Sequence, residues 1–380
     1  MKKWADKYII GLTGSIGTGK SVVRRMLEHL GAYGIDADAL AHRAMAPDAP
    51  GYKEVVETFG KFILQPDGQI DRAKLGRLVF ADQDALARQE AIIHPLVSQA
   101  LDILIKRATQ KVIVIEAIKL IEARISNDCD SLWVVVAPPE VQLRRLVEQR
   151  KMSEGDARLR IVSQVPQEIH MSAANVVIKN DTSFEETWKQ VTQAWLRTVP
   201  AGEAKFIPTA QPVRLPLGEV TVRRAGPRQV DEIVQVLNNA HKGQPQLSRN
   251  DVMALLGEKA FLLLCIEQNT MGIISWQVEN LVARTTDITL DPLLSPAQYL
   301  PIMIREMERA SNDLQCEASL IFVPPHLAKH DALWKSMGYE PRTPDMLGVL
   351  AWQEAAEESM MPDCTLYFKQ LRKDRVLRPI

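Results

Sequence analysis

The stretch "GSIGTGKS", Gly14 to Ser21, lies between the apolar run "YIIGLT" and the helix-like segment "SVVRRMLEHLG". It fits the template G-x-x-x-x-G-K-[ST], and strand before with helix after is the setting in which that template holds phosphate. The composition follows from the chemistry. A loop that wraps phosphate must turn its backbone N–H groups onto oxygen atoms, and glycine permits conformations and approaches that a side chain blocks. Gly14, Gly17 and Gly19 give that freedom, with Ser15, Ile16 and Thr18 between them and Val22 just after. Lys20 brings a point charge to the β- and γ-phosphates, and the Ser21 hydroxyl suits Mg²⁺. The following helix turns its N-terminal dipole on the same anion.

Working outward, five short Val- and Ile-rich runs punctuate the first half of the chain: "YIIGLT", "YGIDAD", "VIVIE", "LWVVVA" and "NVVIKN". Longer helix-like patterns separate them. That alternation predicts an α/β fold, a P-loop NTPase parallel sheet with helices on both faces. Ligands gather at the carboxyl ends of such strands. There the sequence sets Asp36 and Asp38, Glu116, Asn180 and the glycine loop itself.

Three classes of nucleotide enzyme own such loops. A GTPase needs the guanine-reading N-K-x-D, which the sequence lacks, and no long motor or transporter insert interrupts the pattern. A kinase explains more residues. "GIDAD" places Asp36 and Asp38 at the end of the second strand, pointing to the same side because strand side chains alternate. An acceptor hydroxyl needs a carboxylate to orient it or take its proton. Asp38 is the candidate, and it also suits the N-cap of the helix that follows. Glu116 ends "VIVIE", where an acid serves Mg²⁺ or its water shell; the bland alternative is a strand-end charge. Arg144, Arg145, Arg150, Arg158 and Arg160 gather in "VQLRRLVEQRKMSEGDARLRI". They read as a basic lid over residues ~142–165 that excludes water from a transferring phosphoryl group. A solvated basic helix face competes with that reading for each arginine.

Bulk properties narrow the field. A chain of 380 residues can bury two cores. A formal net charge of −1 creates no general field for nucleic acid or anionic membrane, so neither is expected as a partner. Cys129, Cys265, Cys316 and Cys364 form no C-x-x-C pair and read as free thiols of a reducing cytosol. The apolar start breaks at Gly11, too early for a signal peptide, and no later run reaches the ~18 apolar residues of a membrane span. A cytoplasmic protein is expected. Residues 199–218, "VPAGEAKFIPTAQPVRLPLG", carry four prolines and read as a linker between a domain at 1–198 and another at 219–380.

With these residues in place, the first half resembles the dephospho-coenzyme A kinases over residues 7 to 196. The resemblance rests on "GLTGSIGTGKS", "GAYGIDADALAH", "PDAPGYKEVVETFG", "DGQIDRAKLGRLVFAD", "AIIHPLV" and "SQVPQEIHMSAANVVIKND". It implies transfer of the ATP γ-phosphate to the ribose 3′-hydroxyl of dephospho-coenzyme A, with Mg²⁺. It also implies that Gly17 to Val22 bind ATP, with Lys20 as the loop lysine, and that Asp38 serves the acceptor hydroxyl. Residues 39–97, including Asp71, Arg72 and His94, match the substrate-receiving helical part. Asn180 matches the adenine-side loop. Two departures stand out. "EAIKLIE" keeps Glu116 and Glu122 but sets Ile118 and Lys119 where the family usually has Pro and Leu. In the lid, Gln149 takes a position usually held by arginine, with Arg150 one residue later, so Arg145 is the firmer lid assignment.

Residues 219–380 resemble the Gcn5-related N-acetyltransferase (GNAT) fold, a mixed α/β domain. "VTVRRAGPRQVDEIVQVLN", with Arg224, Ala225 and Asp231, is similar to its opening strand and helix. "AFLLLCIEQNTMGIISWQV" is similar to its central hairpin with "QNTMG" as the turn, and "ASLIFVPP" with "ALWKSMGYEPR" to its late elements. The glycine loop that holds acetyl-coenzyme A pyrophosphate in that family is replaced by "LDPLLSPAQYLPIMIREMERA", where proline even removes donors. The apolar spacing of "YLPIMIREM" reads as core packing. A non-catalytic or regulatory domain is therefore expected beside the kinase. Three alternatives remain: a kinase for another nucleoside-like molecule, a bifunctional kinase and acetyltransferase, and a nucleotide-dependent binding protein.

Overall fold

The computed structural model describes residues 2–200, 213–215, 218–240, 245–267 and 269–377. Its elements begin with β1 (Tyr8–Thr13), α1 (Lys20–His29), β2 (Tyr33–Asp36), α2 (Ala37–Ala44), α3 (Tyr52–Phe59), α4 (Arg72–Ala81) and α5 (Gln83–Arg107). Next come β3 (Val112–Glu116), β4 (Ser131–Val136), α6 (Pro139–Glu148), α7 (Glu154–Val162), α8 (Gln167–Ala173), β5 (Val176–Lys179) and α9 (Phe184–Thr198). After these lie β6 (Val213–Leu215), β7 (Gly218–Ala225), α10 (Val230–Ala240), α11 (Arg249–Leu256), β8 (Ala260–Ile266), β9 (Asn269–Glu279) and β10 (Val282–Leu290). The chain closes with α12 (Pro296–Asp313), β11 (Ala318–Val323), α13 (Pro325–Ala328), α14 (Asp331–Ser336), β12 (Glu340–Pro341), α15 (Leu350–Ser359) and β13 (Thr365–Gln370).

All five Val- and Ile-rich runs of the first half are strands, in one sheet of order β2-β3-β1-β4-β5. The registers of β1 with β3 and β4, and of β4 with β5, are parallel. Such strands carry covering layers on both faces, so they cannot alternate polar and apolar residues. Ile9, Ile10, Leu12, Val114, Trp133 and Val135 are all fully buried. On one side α1 supplies Val23, Met26 and Leu27, and α9 supplies Val191, Ala194 and Trp195. The spacing of these residues, three and four apart, lays one apolar stripe of each helix on the sheet.

The second sheet is mixed, of order β12-β13-β11-β10-β9-β8-β7-β6. Strand β10 pairs parallel with β11, whereas β6–β7, β7–β8, β8–β9, β11–β13 and β12–β13 are antiparallel. This is the mixed α/β architecture that the second resemblance implied, with opening strand β7, helix α10, hairpin β8–β9 and late strand β11. Two local expectations shift. Strand β9 already begins at Asn269, inside the expected turn "QNTMG". Val213–Leu215, inside the expected linker, form β6 and pair with β7. The remaining linker positions 201–212, 216 and 217 lie outside the described residues.

By packing, the chain divides into two compact units. One comprises residues 1–35, 109–277 and 287–307, the other residues 36–108, 278–286 and 308–380. The first holds most of the parallel sheet and a cluster of Val230, Ile233, Val252, Leu256, Phe261 and Leu263, against which Phe184 packs. The second holds α2 to α5 and a cluster of Val282, Leu320, Phe322, Trp352 and Leu366. Each unit thus draws residues from both sides of the proline-rich stretch. In α12, Tyr299, Leu300, Met303, Ile304 and Met307 are buried, so "YLPIMIREM" is core. Among the described residues no helix is long and apolar enough to cross a membrane.

Candidate functional site

The glycine loop is assembled by constraints that admit only glycine. Gly14 has φ +147°, and a Cβ there would lie 2.2 Å from the Val135 carbonyl oxygen. Gly19 has φ +90°, and a Cβ would lie 2.0 Å from Asn180 Nδ2. Both positions combine a left-handed backbone with a polar neighbour at contact distance, so any side chain strains the loop twice. Gly19 is also the N-cap of α1, so the first turn of the helix begins at the loop.

Lys20 is buried, and its Nζ donates to the carbonyls of Gly14 at 2.9 Å and Ser15 at 3.3 Å. The ammonium is thereby folded back over the loop it serves. Next to it the Ser21 hydroxyl donates to Glu116 Oε1 at 3.1 Å. Glu116 ends β3 in the strand beside β1, which explains how a residue distant in sequence reaches the loop. Its other oxygen accepts from Arg24 Nε at 2.7 Å, and Arg24 Nη1 donates to Glu28 at 2.8 Å. Arg25 adds a further donor to Glu28 at 2.9 Å. Burial pulls the Glu28 carboxyl upward, but Arg25 and Arg24, with smaller help from Arg224 and His29, outweigh it and hold its pKa below the ordinary value. Ser21 and Glu116 therefore present two hard oxygen donors side by side, and Arg24 balances the buried carboxylate.

The far side of the loop is braced by three side chains. Arg145 Nη1 donates to the carbonyls of Gly17 and Thr18, each at 3.2 Å, and Nη2 donates to that of Asn180 at 2.9 Å. Asn180 Nδ2 donates to the Thr18 carbonyl at 2.9 Å, and its oxygen accepts from Thr187 at 3.1 Å. Gln164 Oε1 accepts from the Ile16 N–H at 2.7 Å. Beneath these contacts Ile16 packs into an apolar cluster with Leu146 and Ala157, so α6 and α7 share a small core with the loop. Arg145 is half-buried. Burial lowers its guanidinium pKa, Arg144 lowers it further, and Asp181 opposes. What the structure shows at Arg145 is a grip on loop carbonyls. Arg150 is exposed past the end of α6, and Arg158 pairs with Glu154 on the solvent face of α7.

The departures in "EAIKLIE" also find places. The Ile118 carbonyl accepts from Thr13 Oγ1 at 3.0 Å, and Leu120 is fully buried. Glu122 accepts from His170 Nε2 at 2.9 Å, tying "EAIKLIE" to "QEIH".

In the other unit, β2 ends at Asp36 and α2 begins at Ala37. Asp36 is the N-cap, accepting from the Ala39 N–H at 2.9 Å. This corrects the sequence reading in two respects. The cap is Asp36 rather than Asp38, and Asp38 stands in the first helical turn, where strand alternation no longer applies. Asp71 caps α4, accepting from Ala73 and Lys74 N–H groups. The Lys74 hydrogen bond is the leading cause that lowers its pKa; burial opposes, and the Ala73 N–H and the Lys74 charge add to the lowering. Arg72 opens α4 and pairs with Glu354 at 3.7 Å. His42 lies near Arg72 and Asp36. Burial, then Arg72, lowers its pKa against the pull of Asp36. His94 is exposed on α5.

The first unit thus gathers the loop, Lys20, Ser21, Glu116, Arg145 and Asn180. Sequence reasoning gave no role to Arg24, Gln164 or Thr187. For Arg24 a signal existed: Glu28 follows at i+4, the spacing of a helical ion pair. Gln164 binds the loop across 148 positions, and no local pattern announces that. Among the described residues no group of three or more His, Cys, Asp and Glu gathers as a metal cage. The Ser21 and Glu116 pair instead suits a cation that takes its other ligands from phosphate and water.

A sequence model described as dephospho-CoA kinase matches residues 8–186. The dephospho-CoA kinase of Geobacter metallireducens is 44% identical over 190 residues, 49% of this chain and 94% of that protein. That of Streptomyces avermitilis is 45% identical over 187 residues, 49% of this chain and 91% of that protein. Among solved structures, the paia N-acetyltransferase of Thermoplasma acidophilum in complex with coenzyme A covers 40% of this chain and 98% of its own, at TM-score 0.31 and 9% identity.

Proposed function

The chain belongs to the dephospho-CoA kinase family, and from that premise we propose how its residues divide the work. The protein phosphorylates dephospho-coenzyme A at the ribose 3′-hydroxyl, with ATP as the donor. Phosphoryl transfer asks a protein mainly for positioning and charge stabilisation. The observation that carries the assignment of roles is the loop itself, with Lys20 on its carbonyls and Ser21 against Glu116.

In this reading the loop from Gly14 to Val22 and the Lys20 ammonium receive the ATP phosphates, the Ile16 N–H excepted because Gln164 holds it. Ser21 and Glu116 hold Mg²⁺ directly or through its water, and the ion neutralises charge on the phosphates when bound. Arg145 and Asn180 keep the loop in shape and stand on the adenine side. Asp38 orients the acceptor hydroxyl and takes its proton, while Asp36, Asp71, Arg72 and His94 belong to the side that receives dephospho-coenzyme A. The kinase part covers residues 1–198, and the part from 219 onward is non-catalytic. The glycine-free segment before α12 supports that last assignment. Four cysteines that are not joined in disulfides support a cytoplasmic setting.

The test is ADP release coupled to a spectroscopic readout, with dephospho-coenzyme A compared against adenosine, AMP and other nucleoside-like acceptors. Turnover that prefers dephospho-coenzyme A by orders of magnitude is expected. Equal turnover with another nucleoside would replace the acceptor assignment.

A further inference from the structure

Three helices of the second unit carry the residues assigned to the acceptor, and each is tied by an arginine to an acid from the C-terminal part of the chain. Arg43 of α2 pairs with Glu317 at 2.6 Å, with both side chains buried. Arg72 of α4 pairs with Glu354 of α15. Arg107, the last residue of α5, pairs with Asp374 at 2.5 Å, and its carbonyl accepts from Gln315 Nε2 at 3.4 Å.

The three ties differ in weight. Exposed pairs contribute little, whereas a buried pair is costly to break because the remaining charge is left without solvent. The Arg72 and Arg107 pairs are partly exposed, but Glu317 has no exposed side-chain surface. Glu317 is also locked within its own part of the chain. Its carbonyl accepts from the N–H groups of Leu371 and Arg372, and its Oε1 accepts from the Val376 N–H at 3.1 Å. Arg43 is held in turn by the Asn280 carbonyl at 3.0 Å. An eight-residue helix gripped in this way at its C-terminal turn has little freedom to pivot at its first turn. Asp38 stands in that first turn.

We propose that the C-terminal part of the chain is a positioning scaffold for the acceptor side of the kinase, with Glu317 as the positioning residue that fixes α2 through Arg43. The proposal rests on the role given to Asp38 above, and it gives the appended part a function that requires no ligand of its own. The scaffold acts on the acceptor and leaves the ATP loop unchanged.

The experiment uses the full chain with Glu317→Gln, Arg43→Lys and Asp374→Asn. Steady-state rates are measured with each substrate varied, ATP binding is measured by calorimetry, and thermal melting is recorded. Because small misplacements of reacting groups are expensive in rate, Glu317→Gln is expected to lower kcat about 10-fold while the Kd for ATP moves less than about 2-fold. Arg43→Lys keeps the charge and falls between Glu317→Gln and the unmodified chain. Asp374→Asn, at a partly exposed pair, changes the same kcat by less than about 2-fold. A lowered melting temperature with an unchanged kcat in Glu317→Gln makes the pair merely structural and overturns the proposal. If that variant fails to fold, an unchanged kcat in Arg43→Lys overturns it. An unmodified chain that is inactive with dephospho-coenzyme A sinks the functional reading and the scaffold with it, whereas an active chain with unshifted variants sinks the scaffold alone.

Discussion

The hydroxyl of Ser21 donates to the carboxylate of Glu116 across 95 positions of sequence, and the same carboxylate holds Arg24 on its other oxygen. The pair presents two oxygens beside the loop, with the carboxylate charge balanced by Arg24. Under the proposed Mg²⁺ role, Ser21→Ala should act on cation binding before it acts on the fold, whereas Glu116→Gln also weakens a buried pair with Arg24. Ser21→Ala and Glu116→Gln are each expected to lower turnover about 100-fold, on the scale of losing one transition-state electrostatic contact. Both should also raise the Mg²⁺ concentration needed for half-maximal ATP binding. Binding of a fluorescent ATP analogue with and without Mg²⁺ checks this independently of turnover. An unaltered Mg²⁺ requirement in both variants would remove the pair from the metal site.

Lys20 and Asp38 are assigned to opposite partners of the transfer, and their variants should separate accordingly. Lys20→Ala removes the cation folded over the loop carbonyls and is expected to abolish turnover by about 1000-fold or more. Asp38→Asn should lower kcat strongly while leaving the ATP Kd nearly unchanged. Calorimetry decides the second point: a large loss of ATP affinity in Asp38→Asn would move Asp38 to the donor side.

Asn180 is buried and satisfied through its amide nitrogen by Thr18 and through its oxygen by Thr187. Asn180→Ala removes one partner each from the Thr187 hydroxyl, which keeps the Ser183 carbonyl, and from the Thr18 carbonyl, which keeps Arg145. A cost of about 1 kcal/mol is expected from losing such hydrogen bonds. The loop loses part of its brace, so the ATP KM should rise while that for dephospho-coenzyme A stays in place. Urea unfolding together with both KM values tests this, and a variant with normal stability and a normal ATP KM contradicts the bracing role.

His29 ends α1, its Nε2 lying 3.0 Å from the Leu256 carbonyl and its ring edge-on to Trp188. Burial, then repulsion from Arg224, lowers its pKa from 6.5 to about 3; the Leu256 hydrogen bond and Glu28 oppose, and Arg25 adds to the lowering. Because the folded value lies below the unfolded one, the unfolded chain takes up a proton first as pH falls. His29 therefore imposes no penalty above pH 6.5. Below that, stability declines by up to about 1.4 kcal/mol per pH unit until pH approaches 3. His29→Gln should flatten the decline between pH 6.5 and 5, measured as the shift of the urea midpoint relative to the parent chain. Parallel declines in the two proteins would show that the ring carries no such penalty.

Much of the kinase part was legible because its signals are local. The glycine pattern, the runs that became β1 to β5 and the acids at strand ends are short-range features, and all five strands lie where the sequence put them. The cap of α2 was misread because "DAD" offers two equivalent acids, and only the backbone, extended at Asp36 and helical from Ala37, distinguishes them. Arg145 was read as a lid residue. Its hold on Gly17, Thr18 and Asn180 depends on how α6 packs over Ile16, which no spacing encodes. The edge strand β6 was hidden in a proline-rich stretch because a three-residue strand has too few positions to show a period.

The sequence by itself determined the loop, since its geometry can be built only with glycine at Gly14 and Gly19. It also determined the parallel sheet, since uninterrupted Val and Ile runs must be covered on both faces. What it could not determine was which distant carboxylate a buried arginine meets. Arg24 meets Glu116 across 92 positions and Arg43 meets Glu317 across 274. Every arginine has a similar guanidinium, so the choice among carboxylates falls to whichever one folding buries beside it. Only the tertiary structure decides that, because the desolvation cost of a buried charge is offset by whichever partner lies at hydrogen-bonding distance, however far away it is in sequence.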